Sequence, residues 1–122
     1  MKRETLNGKL FICSSCQKIH LEFITTGLDF RNQQSLKEML VYLNGVKATS
    51  DDSSDQNMPY RRKIMIPFQD TNLKMLLTPS ELDELTQLIA GFIAQLNGET
   101  SVERQKNIPM KLFNGISSIQ LN

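Results

Sequence analysis

Apolar and polar side chains alternate with period two over residues 19–23, where Ile19, Leu21 and Phe23 are interleaved with His20 and Glu22. That period sends successive side chains to opposite faces of a half-buried strand, with His20 and Glu22 on the polar face. The short apolar run Lys9–Cys13, which follows the turn signal Asn7-Gly8, reads as a preceding strand. Only Ser14-Ser15-Cys16-Gln17 and Lys18 separate the two, so they are expected to pair as an antiparallel hairpin. Leu36, Met39, Leu40 and Leu43 then recur at i, i+3, i+4 and i+7, which makes one stripe of an amphipathic helix. Asn32 or Ser35 can cap its start, Ser35 in a capping box with Glu38. Asn44-Gly45 supplies its stop signal.

Residues 47–58, "KATSDDSSDQNM", have no large apolar side chain before Met58 and predict a mobile loop. Its Asp51, Asp52 and Asp55 lack the turn glycine and the distal glutamate of a calcium loop. Beyond it, Ile64, Ile66 and Phe68 alternate with Lys63, Met65 and Pro67 in a strand that lies at an edge or ends near Pro67, because proline lacks the donor a ladder needs. A turn at 69–72 leads to a return strand at 73–77. The second helix has the clearest start in the chain: Thr78 as N-cap, Pro79 at the first helical position, Glu81 closing a capping box, and Leu77 with Leu82 as a hydrophobic staple. Leu82, Leu85, Ile89, Phe92 and Leu96 form its stripe, and Asn97-Gly98 ends it.

The order read from the pattern is β-β-α, loop, β-β-α. It predicts an α+β sandwich, an antiparallel sheet of four to five strands with two helices packed on one face. The whole chain, 1–122, is expected to be one domain with its core at 9–98. Both halves end in Leu-Asn-Gly, and a shift of about fifty residues lays "HLEFI" over "NLKML", which suggests an internal pseudo-two-fold duplication. The extension 99–122 breaks the pattern. Ile108, Met110, Leu112, Phe113, Ile116 and Ile119 are too many apolar side chains for a free tail, and they are expected to pack back on the domain or on another copy.

Composition narrows the function classes. With 39% hydrophobic and 22% charged residues, the chain of 122 has the balance of a soluble domain that builds a core without staples. A net charge of +1 gives no electrostatic case for nucleic acid or an anionic membrane. No apolar run approaches a membrane span, and the N-terminus has no signal-peptide core, so a cytoplasmic location with reduced cysteines is expected. The aromatics show no base-stacking pattern, and no glycine-rich phosphate loop is present. Arg61, Arg62 and Lys63 form a short basic run that, with Lys2 and Arg3, could meet an anion; in a chain of balanced charge it reads first as a solvated strand entry.

The candidate chemistry is concentrated in "FICSSCQKIHLEF", residues 11–23, which contains both cysteines and the only histidine of the chain. In a reducing compartment a C-x-x-C pair points to metal or redox chemistry before a structural disulfide. Cysteines on a tight turn can aim both sulfurs at one point, and His20 could add a nitrogen, so Cys13, Cys16 and His20 are candidate zinc ligands. Three donors are one short of a closed site; the fourth would be Glu22, Asp29, water or a residue of a second subunit. A redox role needs a thiolate with a depressed pKa, and a hairpin offers no helix N-terminus, only Lys18 and His20. A cysteine–histidine nucleophilic pair would need an oxyanion hole, and none is legible nearby. In a purely structural reading Cys13 packs as a small hydrophobe and His20 hydrogen-bonds at the sheet surface.

Cys13-x-x-Cys16-x-x-x-His20-Leu21-x-Phe23, with "RRKIMIP" at 61–67 and "ELDELTQLI" at 81–89, resembles a family of small uncharacterised proteins of Bacteroidetes bacteria, a domain of unknown function. The resemblance covers about residues 11–97, with the 47–58 loop and the 99–122 tail as departures, and it implies a cytoplasmic bacterial protein without an assigned activity. The sequence thus points to a small binding or interaction module, non-enzymatic rather than enzymatic, with zinc at Cys13, Cys16 and His20 and no other cofactor. Its partner would be an unidentified protein or a second copy, neither membrane nor nucleic acid. The alternatives are a thiol–disulfide protein using Cys13 and Cys16, and a metal-free structural protein that binds partners through its tail.

Overall fold

Alternation in the first thirty residues builds more strands than the pattern suggests. The computed structural model describes residues 1–49 and 60–98. Their elements run β1 (Lys2–Glu4), β2 (Gly8–Ile12), β3 (Ile19–Phe23), β4 (Thr26–Phe30), α1 (Gln33–Thr49), β5 (Ile64–Pro67), β6 (Lys74–Leu77) and α2 (Pro79–Leu96). The chain divides into two compact units, Met1–Phe92 and Ile93–Asn122. Of the second, only residues 93–98 are described: the end of α2 and its cap, where Gly98 takes the left-handed conformation (φ 76°) that the Asn97-Gly98 signal anticipates.

The α+β class holds, but the strands are distributed differently. β1 to β4 form one antiparallel meander in the order β1-β2-β3-β4, and β5 pairs with β6 as a separate two-stranded sheet. The expected single sheet made of two hairpins is therefore corrected to two sheets, with the larger one complete before the first helix. The duplication is not supported in the register proposed for it. "HLEFI" falls on β3, a penultimate strand before its helix, whereas "NLKML" falls on β6, a last strand.

The core forms from the inward positions of this alternation. Leu10, Leu21 and Phe23 of the larger sheet, Ile64, Ile66, Met75 and Leu77 of the smaller, and Leu36 and Leu43 of α1 are buried, as are Leu82, Leu85, Leu88, Ile89 and Phe92 of α2. Gly8 marks a close approach of sheet and helix. A Cβ there would lie 2.6 Å from Phe23 Cδ1 and 2.9 Å from Leu88 Cδ2, so only hydrogen fits. Glu84 of α2 secures the β1–β2 turn. It accepts hydrogen bonds from the Thr5 hydroxyl (2.5 Å) and from the Asn7 backbone N–H (2.7 Å) and side-chain amide (2.8 Å). Desolvation pushes the Glu84 carboxyl up, but these three donors pull it below its ordinary value.

The start of α2 is as expected. Glu81 accepts from the Thr78 N–H (2.9 Å), Thr78 Oγ1 accepts from the Glu81 N–H (3.2 Å), and Leu77 and Leu82 are both buried. The start of α1 uses Asn32, whose side-chain oxygen accepts from the Ser35 N–H at 3.0 Å, in place of a Ser35–Glu38 box. Its expected end at Asn44-Gly45 is overrun: the helix continues to Thr49 and takes in the first residues assigned to the 47–58 loop. An interior glycine costs about 1 kcal/mol. The added turn brings Lys47 to Asp83 of α2 at 2.5 Å, an ion pair that a helix ending at Gly45 would not position. The rest of that loop and the tail at 99–122 lie outside the described residues.

Candidate metal centre

The hairpin of β2 and β3 positions the candidate ligands. Ile12 pairs with Ile19 and Phe11 with His20, so the six residues 13–18 close the turn between them. The Cys13 N–H donates to the Lys18 carbonyl (3.0 Å) and the Gln17 N–H to the Cys13 carbonyl (2.9 Å). Gln17 takes a positive φ of 63°, which bends the chain back into β3. This curl turns both sulfurs toward the imidazole. One donor atom each from Cys13, Cys16 and His20 lie within 4.8 Å of one another. Cys16 Sγ is 3.3 Å from His20 Nε2, and Cys13 Sγ is 3.1 Å from the Ser15 hydroxyl. Cys16 is exposed and Cys13 half-buried; both are free thiols.

The next strand sets the ring. His20 pairs directly with Asp29 of β4, and Nδ1 lies 2.6 Å from Asp29 Oδ1. The carboxylate accepts the Nδ1 proton, which leaves Nε2 as the nitrogen facing Cys16. On the other side of His20, Phe11 holds its ring 5.2 Å from the imidazole, tilted by 35°. The hydrogen bond to Asp29, with help from Cys16, lifts the His20 pKa to about 9. The Ser15 hydroxyl, then the Cys16 backbone N–H, bring the Cys13 thiol down to about 6. Thiolate formation is thus favoured at Cys13 without a helix N-terminus, by donors within the turn itself.

All three sequence candidates therefore converge. The two carboxylates considered for a fourth ligand do not join them. Asp29 is held at Nδ1, on the opposite edge of the ring from the sulfurs, and Glu22 lies outside the group. Asp29 is instead the orienting partner that a ligating histidine commonly has. Ser15 carries no signal in the sequence, since only the turn conformation brings its hydroxyl to Cys13. The basic run 61–63 is no anion site at its centre: Arg62 makes a two-bond contact with Glu81, at 2.8 and 3.0 Å. No helix among the described residues is long and apolar enough to cross a membrane.

No curated protein and no solved structure matches the chain. A family model described as "Family of unknown function (DUF6686)" matches residues 1–113. That match extends beyond the resemblance at 11–97 in both directions. The chain belongs to this family of unknown function, DUF6686.

Proposed function

We propose that the protein is a metal-binding module that holds zinc on the β2–β3 hairpin through Cys13 Sγ, Cys16 Sγ and His20 Nε2. The observation that carries this reading is the convergence of these three donors within 4.8 Å, with Asp29 holding Nδ1 and so turning Nε2 toward the sulfurs. In a tetrahedral site with bonds of about 2.0–2.3 Å, neighbouring donors stand roughly 3.5–3.8 Å apart. The cluster therefore needs side-chain movements of about an ångström, with both cysteines on the 13–18 turn rather than within a strand. Two thiolates and an imidazole suit zinc in preference to magnesium or calcium, which take oxygen donors. Binding would displace the Nε2 proton and any proton left on the thiols, so affinity falls on acidification. Elemental analysis after expression with supplemented zinc tests the reading. One zinc per chain is expected, and loss of that zinc in a Cys13→Ser/Cys16→Ser variant; less than a tenth of an equivalent in the wild type would sink it.

A second reading has its own support. The depressed Cys13 thiol beside exposed Cys16 suits a dithiol–disulfide couple. It requires that the metal-free protein form a reversible Cys13–Cys16 disulfide in a glutathione buffer, read by alkylation and mass. Thiols that stay reduced across the buffer range would remove it.

A further inference from the structure

The three donors lie together on the hairpin, and neither nearby carboxylate joins them. Asp29 is bound to Nδ1, and Glu22, exposed on the same outer face as His20, stands outside the group. Among the described residues no fourth Cys, His, Asp or Glu joins the group. Cys16 is exposed, and the His20 side chain keeps 23% of its surface accessible, so the cluster can be approached from outside. Structural zinc sites close with four protein ligands; sites with three keep the fourth position for water or an incoming ligand.

The flank of the cluster narrows the ligand class. The Phe11 ring beside His20 carries the Lys9 ammonium 5.1 Å above its centre. An incoming group along this side meets an aromatic face and a positive charge. A metal already held by two thiolates favours soft donors.

We infer that the fourth position of the centre is an exchangeable site for a small thiol, an inference that rests on the metal reading above. On binding, the thiol releases its S–H proton to solvent, its sulfur forms one bond to the metal, and a water molecule leaves; no electrons are transferred.

The test uses the full-length reduced protein loaded with one equivalent of cobalt(II), whose visible ligand-field bands report the donor set. Titration with 2-mercaptoethanol, followed by desalting and cobalt analysis, is expected to shift the bands saturably with the metal retained, at a concentration at least tenfold below that needed for acetate. Lys9→Ala should weaken the thiol effect several-fold while leaving cobalt binding unchanged. Cobalt bound at one per chain with bands that no thiol moves would overturn the inference and leave the metal reading standing. One cobalt per two chains would overturn it as well, because a second copy would then supply the fourth donor. Preference for acetate would overturn the ligand class. No cobalt binding would remove the metal reading and this inference with it.

Discussion

His20 and Asp29 face each other at directly paired positions of β3 and β4, and the His20 Nδ1 proton is held by the Asp29 carboxylate at 2.6 Å. A strand register thereby decides which ring nitrogen meets the cysteines. Replacing such an orienting carboxylate typically costs 10–100-fold in metal affinity. Asp29→Asn is expected to weaken zinc binding by about that factor, measured by competition with a chromophoric chelator. Unchanged affinity would show that the ring is set by something other than this pair.

The metal is not expected to hold the fold together. Cys13 and Cys16 lie on the 13–18 turn, and the buried side chains of the core include neither. Cys13→Ser/Cys16→Ser should therefore lose zinc yet keep native circular dichroism and a cooperative thermal transition. A variant that unfolds at room temperature would instead mark the centre as a folding element of the zinc-finger kind.

The sheet–helix contact at Gly8 is a separate test of the packing. Phe23 and Leu88 are both fully buried, so neither can move aside easily for a new methyl group 2.6 and 2.9 Å away. Gly8→Ala is expected to destabilise by roughly 1–3 kcal/mol, the usual cost of overpacking a core. Chemical denaturation would measure it, and a neutral result would contradict the close approach.

The legible parts of the fold are those whose residues signal it locally. Ile19, Leu21 and Phe23 declare their strand by period two, and Thr78-Pro79-Ser80-Glu81 declares the start of α2 by its caps. β1 escapes because Lys2, Arg3 and Glu4 are all charged and exposed, so no apolar face betrays the strand. β4 escapes because the β3–β4 turn is Ile24-Thr25, with neither glycine nor asparagine; Ile24 itself takes a φ of 57°, which such a residue rarely adopts. At the site, residue type alone picks out Cys13, Cys16 and His20. The role of Asp29 needs the β3–β4 register, and the role of Ser15 needs the curl of the turn, neither of which spacing reveals.

The N-terminus of α2 should carry an acid-sensitive contribution. The Arg62 guanidinium holds the Glu81 carboxyl below its ordinary value of 4.5, against the opposing effect of burial. A carboxyl depressed in the folded state stabilises above its unfolded pKa, and that stabilisation is lost as pH falls through the folded value. Glu81→Gln keeps the capping box but removes the charge. Its stability should fall less than that of the wild type as pH drops below 4.5, followed by urea midpoints. Thr78→Ala should cost about 1 kcal/mol. Parallel pH profiles for the wild type and Glu81→Gln would count against the ion pair.

The central claim is that Cys13, Cys16 and His20 bind one metal ion together, and X-ray absorption at the zinc edge of the zinc-loaded protein tests it most directly. The expected first shell has two sulfurs at about 2.3 Å and a histidine nitrogen at about 2.0–2.1 Å. A shell of oxygen and nitrogen alone, or one unchanged by Cys13→Ser/Cys16→Ser, would contradict the claim.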